Sequence, residues 1–204
     1  MTYGVNAPLG MQAATYGISA PWTGGFQFYN ITPTLGTSLF LGDIVTLTDG
    51  LLVPYTAGTS AANPPLGVFW GCQFQDTNGI WQLQKYWPSG TNTFVGTYPQ
   101  ANVIVDPNTV FTIQANAAFP WADLGSNFDV QITPGNTLTG ESGTMLNVAT
   151  AAATATLPLT AIAFDPIPGN VPATPTGAGS TSVPFANILV KLNNTNFNAG
   201  ATGA

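Results

Sequence analysis

The chain has 204 residues, 45% of them hydrophobic and 11% aromatic, so it can form one domain with a sizeable core. Only 5% of the residues are charged: two lysines and eight acidic residues give a net charge of −6, and there is no histidine. Two cations cannot neutralise nucleic-acid phosphates or an anionic membrane, and histidine-dependent nucleophiles and metal sites are excluded. We therefore expect no nucleic-acid or membrane partner, no cofactor and no enzymatic activity.

The first 25 residues contain apolar side chains that follow neither a two-residue nor a 3.6-residue period, and Pro8, Pro21 and several glycines interrupt them. Such a segment cannot pack on its own domain in a regular way. We therefore expect residues 1–25 to form an extended N-terminal arm that packs on a neighbouring subunit. The beginning of the chain lacks the basic and apolar regions of a signal peptide, so we expect the protein to be made in a cytoplasm.

Two pairs of short apolar segments are separated by dipeptides that favour tight turns. Asp49-Gly50 supplies the positive φ angles that a type I′ hairpin turn requires, and Asn78-Gly79, at the end of the segment 76–79, is the strongest short-range hairpin dipeptide. Val45 and Leu47 alternate with threonines before the first dipeptide, which is the period of a half-buried strand. The sequence therefore predicts two β-hairpins, formed by residues 43–48 with 51–55 and by residues 67–75 with 80–87.

Further strands are expected between the 23 glycines and 17 prolines, which interrupt the chain at short intervals. In the clearest of them, Phe111, Ile113 and Ala115 alternate with polar residues. The others cover residues 26–31, 101–105, 128–132, 156–164 and 188–192. Nine or ten short strands predict an all-β protein with a single β-barrel or jelly-roll-like domain over residues 26–192, and the one helical candidate is a turn at 121–124.

Two more regions do not resemble parts of a compact domain. Residues 166–184 read PIPGNVPATPTGAGSTSVP, and this predicts a long extended loop rich in proline and glycine. A loop of this length inside a domain is usually functional or a linker. Residues 193–204 contain almost only asparagine, threonine, glycine and alanine, so we expect a flexible C-terminal tail.

Four acidic residues are candidates for a calcium site if the fold brings them together: Asp106, Asp123, Asp129 and Glu141. No calcium-loop motif is present, and the acids lie beside turn residues, as in Asp106-Pro107. Carboxylates in this context usually bind the backbone of their own turn. We favour the turn role and expect no metal site.

The five tryptophans have two interpretations. They can line a sugar groove, with a pair of carboxylates acting as a glycoside hydrolase, or they can pack in the core and at interfaces. The chain has one glutamate, which leaves few candidates for a general acid. We therefore favour packing for Trp22, Trp70, Trp81, Trp87 and Trp121.

Two possible nucleophiles lack a base. Cys72 lies in the apolar segment Phe69-Trp70-Gly71-Cys72, and we expect it to be buried. Gly140-Glu141-Ser142-Gly143 departs from the G-x-S-x-G nucleophile elbow, and we expect a turn there. The remaining signal is global, because a surface with little charge and many apolar residues needs to be covered by protein partners.

The order of short motifs resembles that of the head decoration, or cement, proteins of tailed bacteriophages. Asn6-Ala7-Pro8-Leu9-Gly10 is similar to the family's opening "aPfGl", and Gly42-Asp43-Ile44-Val45 is similar to its "GDpV". The similarity continues through 67–72, Asp76, Gly79, 86–88, 105–107, 111–114, 122–125, Asn127, Gly140, Ser142 and 190–194. It covers residues 6–194, nearly the whole chain.

The chain also departs from the family. Met11, Gln12 and Ala13 stand where the family usually carries arginines, and the usual second aspartate near Asp106 is absent. If those charges contact the coat protein in relatives, this chain docks by apolar and hydrogen-bonded contacts instead.

The resemblance implies a β-barrel or jelly-roll body on the outside of an icosahedral shell, with the major capsid protein as partner and no catalytic residue. We expect a virion structural protein, made in the bacterial host cytoplasm, that cements adjacent capsid subunits through residues 1–25 and 166–184. We expect symmetric self-association, with a homotrimer on threefold positions favoured over a homodimer on twofold ones. The alternative is a receptor- or glycan-binding head domain of a fibre or tail of the same virion.

Overall fold

The fold is almost entirely β. The computed structural model describes residues 4–17, 20–32, 34–91, 93, 96–167, 170, 182–198, 200 and 203. Within these residues the only helices are two single 3-10 turns, Trp121–Asp123 and Val148–Thr150, so the all-β prediction and the helical turn at 121–124 are confirmed. No helix in the described part of the chain has the length and hydrophobicity to span a membrane.

Fourteen strands are present in the described residues. In chain order they are β1 (Gln12–Tyr16), β2 (Ala20–Pro21), β3 (Gln27–Asn30), β4 (Ile44–Thr48), β5 (Leu51–Pro54), β6 (Gly67–Gln75), β7 (Trp81–Gln84), β8 (Gln100–Ile104), β9 (Thr109–Gln114), β10 (Asn127–Phe128), β11 (Val130–Gln131), β12 (Met145–Leu146), β13 (Leu159–Phe164) and β14 (Asn187–Leu192). Several are only two residues long, which is why the sequence predicts fewer of them.

The strands form two large antiparallel sheets and one small one. The first sheet has the order β10-β13-β14-β9-β1-β2. The second has the order β3-β8-β6-β4-β5. β4 pairs with the beginning of β6, and β7 pairs with the end of β6 on the same side. β11 and β12 form the small sheet.

The second sheet curls back on itself. Ile31, directly after β3, makes a parallel bridge with Leu52 in β5, so the two edges of the sheet meet at one point. This curvature encloses a cluster of buried side chains that includes Val45, Phe69 and Trp87. The contact is a single bridge, and neither large sheet closes into a continuously hydrogen-bonded barrel within the described residues.

A second and larger cluster joins the two sheets. Ile44, Val68 and Ile104 of the second sheet pack with Phe111 and Val190 of the first. Because successive side chains of a strand point to opposite faces, Ile44 belongs to the cluster between the sheets while its neighbour Val45 belongs to the enclosed one. The second sheet is thus covered on its outer side only where the first sheet packs on it.

Both predicted hairpins are confirmed. Thr48 pairs with Leu51, and the intervening Asp49 and Gly50 have φ angles of 52° and 79°, as a type I′ turn requires. β6 pairs with β7 in the second hairpin. The predicted strand at 128–132 is divided at Asp129, because its carboxylate accepts the Val130 N–H at 2.8 Å and β10 and β11 pair with different strands.

The segment predicted to be an N-terminal arm belongs largely to the domain, which corrects that expectation for residues 10–17. Met11 is completely buried between the sheets, and β1 pairs with β9. β1 shows no two-residue period because it is half-buried along most of its length. Residues 4–9 run along the surface as expected, and residues 23–25 are also exposed, while Ala20–Pro21 pairs with β1. Residues 1–3, 18 and 19 lie outside the described residues.

The C-terminal segment also packs on the domain, in contrast to the predicted free tail. The Asn196 N–H donates to the Pro65 carbonyl at 3.0 Å, and the Asn194 side-chain amide donates to the Ser60 carbonyl at 2.8 Å. Hydrogen bonds from a backbone N–H and a side-chain amide therefore hold this segment on the domain. Of the predicted loop at 166–184, residues 168, 169 and 171–181 lie outside the described residues.

Candidate interaction surfaces

Asp43 and Ser142 form a buried polar contact. The Asp43 carboxylate accepts the Ser142 hydroxyl at 2.5 Å and the Phe40 N–H at 2.7 Å. Burial raises the pKa of Asp43 above its ordinary value, and the hydrogen bonds from Ser142, Phe40 and Thr144 oppose that shift. Ser142 is almost fully buried, so its hydroxyl serves the fold and is not presented as a nucleophile.

A cavity of about 430 Å³ lies beside this contact, between the start of β4 and the segment around β11. Asp43, Tyr55 and Thr144 are among its polar lining residues, and Phe40 and Val130 are among its apolar ones. The carboxylate already accepts three hydrogen bonds from the chain itself. The arrangement therefore links the second sheet to residues 142–144 and offers no paired acid and base.

The acids weighed as calcium ligands lie in separate places. Buried Asp129 accepts the Tyr55 hydroxyl at 3.2 Å and the Gly58 N–H at 2.5 Å, and Glu141 pairs with Lys85 at 3.2 Å. Asp106 accepts the Asn108 N–H at 2.8 Å within its own turn, which is the role the sequence predicts. No three Asp, Glu or Cys side chains of the described residues lie close enough to hold a metal ion.

Cys72 is buried, as predicted. Its thiol lies 3.5 Å from the Tyr86 carbonyl, inside the cluster enclosed by the second sheet. Burial raises its pKa to about 12, so the thiolate is scarce at neutral pH.

Four of the five tryptophans pack against aromatic rings. Trp22 and Trp70 meet edge to face at 5.0 Å, Trp87 meets Phe74 at 5.2 Å, and Trp121 lies 4.5 Å from Phe164. Trp81 differs, because 57% of its surface is exposed. The packing interpretation thus describes four tryptophans, while Trp81 is free to contact a partner.

The first candidate surface is a groove of about 500 Å³ on the first sheet, which we call the segment groove. Val5 and Leu9 from the N-terminal segment line it together with Ile167, at the start of the predicted loop, and Val183, at its end. Val5 is 51% exposed and Leu9 49%. The described parts of the two segments predicted to contact other subunits therefore lie side by side.

Side-chain amides hold both segments at this groove. The Gln114 amide accepts the Ala7 N–H at 3.0 Å and donates to the Val5 carbonyl at 3.1 Å. Buried Asn170 does the same for β14, since it donates to the Asn187 carbonyl and accepts the Asn187 N–H, both at 2.7 Å. Each amide makes the pair of backbone hydrogen bonds that a neighbouring strand would otherwise make. The N-terminal segment and the loop segment are therefore held in place although neither forms a strand at these contacts.

The second candidate surface is the outer side of the second sheet beyond the area that the first sheet covers. The register places Trp81 opposite Gln75, and Leu83 opposite Gln73, on this side. Gln73 donates to the Gln100 side chain at 2.9 Å. No acidic or basic residue occurs in the three strands β6, β7 and β8 themselves.

Comparison of the chain with protein-family models, with curated proteins and with solved structures finds no match.

Proposed function

We propose that the protein binds the outside of a tailed-phage capsid and cements adjacent major capsid protein subunits. The proposal is supported by the order of motifs that resembles the decoration family and, above all, by the segment groove. Its exposed apolar residues come from two separate segments of the chain. A protein that bridges subunits needs such a surface.

Apolar and hydrogen-bonded contacts carry the docking in this proposal. The groove residues include no acid and no base, and the two lysines of the chain lie elsewhere. An uncharged interface is not steered electrostatically, and its strength depends on the area it buries. We therefore expect capsid binding to depend weakly on ionic strength.

Cementing follows from many modest contacts in a closed lattice. Pressure from the packaged genome acts to separate coat subunits, and each bridging molecule has to be detached before its two subunits can part. Many copies that act together resist the separation of coat subunits far more strongly than one contact does alone.

The test uses a double variant, Val5→Asp with Leu9→Asp, added to particles that lack the protein. Burying the exposed halves of these two side chains contributes about 1.5–3 kcal/mol, so we expect at least a tenfold loss of affinity. Leu138→Asp, at a residue that is 95% exposed and outside the groove, is the control. Unchanged binding of the double variant would show that the groove is not the docking surface.

The second candidate function, a glycan-binding head domain of a fibre or tail, is favoured by one observation. Trp81 is exposed beside the side-chain amides of Gln73 and Gln75, and an indole with neighbouring amides suits the apolar face and hydroxyl groups of a neutral sugar. The two functions differ in copy number. A cement covers the shell, whereas a fibre or tail component is present in a few copies.

A further inference from the structure

The strand β7 has its apolar side chains on the solvent side. Trp81 is 57% exposed and Leu83 is 79% exposed, while Gln82 and Gln84 between them are half-buried. This is the reverse of the usual arrangement in a half-exposed strand, where apolar residues face the core. The reversal indicates that something covers Trp81 and Leu83 in the assembled state.

The backbone of the same two residues is available for pairing. Asp76 N–H donates to the Ile80 carbonyl at 3.0 Å, which makes these residues a hydrogen-bonded pair of the β6–β7 ladder. Hydrogen-bonded pairs alternate along an antiparallel ladder, so Gln82 and Gln84 direct their backbone groups to β6. Trp81 and Leu83 direct theirs outward, where no described strand pairs with β7.

We propose that a second copy of this chain occupies this edge, with β7 pairing antiparallel to β7 of the partner subunit about a twofold axis at Gln82. In this register Trp81 lies opposite Leu83 of the partner subunit, and Leu83 lies opposite Trp81 of the partner subunit. Two hydrogen-bonded pairs then form, and they use all the outward N–H and carbonyl groups of Trp81 and Leu83. Shifting the register by two residues either way leaves half of these groups unpaired.

The edge is self-complementary in its side chains as well. Each indole packs across the strands on a leucine, a kind of cross-strand pair that stabilises a sheet by about 0.2–1 kcal/mol. β7 contains neither the lysine nor the proline that usually prevents edge-to-edge pairing. Lys85, the next charged residue, forms an ion pair with Glu141.

One short strand per subunit buries less than the roughly 1,200 Å² of a stable interface, so the free dimer is weak. On a capsid, where neighbouring copies are held in place, the same contact is strengthened by the lattice. The proposal replaces the threefold arrangement expected from the sequence with a twofold one. It does not depend on the capsid function, because the pairing is a property of this chain.

Cross-linking of cysteine variants tests the register. Residues at position 82 face each other across the axis as a non-hydrogen-bonded pair, with Cα atoms about 4.5 Å apart, which suits a disulfide. Residues at position 84 are about 13 Å apart, four residue rises, and cannot be bridged. We expect the full-length Gln82→Cys variant to form a disulfide-linked dimer under mild oxidation at least tenfold faster than Gln84→Cys. Cys72 is buried and adds no background.

A second pair of variants tests the edge itself. In the Gln82→Cys chain, Leu83→Lys should abolish the cross-link, because it places a charge in the interface, whereas Leu138→Lys should leave it unchanged. Equal cross-linking of the two cysteine variants, or none, overturns the proposal. So does a Gln82→Cys chain that forms no cross-linked dimer while Leu83→Lys lowers binding to particles, since the edge would then contact the coat protein.

Discussion

Replacing Gly10 by alanine should destabilise the fold, because three segments of the chain cross at this glycine. Gly10 has a φ of +68°, and a Cβ there would lie 2.5 Å from the Ser142 Cβ and 2.7 Å from the Gly42 carbonyl oxygen. The next residue, Met11, donates its N–H to the same carbonyl at 2.9 Å. None of these atoms can move aside by a simple side-chain rotation.

The loss of stability expected for Gly10→Ala has two parts, one from the backbone conformation and one from packing. A left-handed backbone at alanine destabilises the folded state by about 1–2 kcal/mol. Alanine also lowers the conformational entropy of the unfolded chain, which offsets about 0.4–1 kcal/mol of this loss. Overlap with packed neighbours adds about 1–3 kcal/mol. We therefore expect Gly10→Ala to lower the free energy of unfolding by about 1–4.5 kcal/mol, most of it from the overlap.

Gly17 is the matched control. It has nearly the same φ, +64°, but nothing lies within 4 Å of the Cβ it would carry, so Gly17→Ala should cost only about 1 kcal/mol. Urea unfolding followed by tryptophan fluorescence measures both variants, and the shift of the midpoint at constant slope gives each change. Equal midpoints for the two variants would refute the packing of residues 10–16 within the domain.

Two further predictions concern buried groups. Burial raises the folded-state pKa of Asp43 above its unfolded value. The protonated carboxyl therefore stabilises the folded state fully below about pH 4, and this stabilisation is lost as pH rises through the folded pKa. Asp43→Asn should remove this part of the pH dependence, which urea midpoints between pH 4 and 7 would reveal, and curves parallel to the wild type would contradict it. Cys72, with a pKa of about 12, should resist iodoacetamide at pH 8 in the native protein and react promptly in urea; rapid native labelling would show an accessible thiolate.

The sequence predicts the features of the fold that depend on neighbouring residues. Asp49-Gly50 and Asn78-Gly79 encode their turns directly, and the flanking segments pair as their alternation indicates. β1 was not predicted, because its half-buried residues become a strand only through pairing with distant β9. The packing of Asn194 and Asn196 is equally non-local, since their partners lie about 130 residues earlier.

The candidate surfaces were predicted only in part. The importance of Val5, Leu9 and Ile167 follows from their apolar character in irregular segments, but their meeting in one groove depends on the amide of Gln114 and on the sheet order. Trp81 and Leu83 alternate with Gln82 and Gln84 in the sequence. Which face points to solvent is decided by the register with β6, and the sequence does not specify it.

The most direct test of the proposed cement function is the copy number of the protein relative to the major capsid protein in purified particles, measured by quantitative gel densitometry. The proposal predicts a number comparable to that of the coat subunits, because a cement has to cover the shell lattice. A few copies per particle would contradict it and would favour a fibre or tail component.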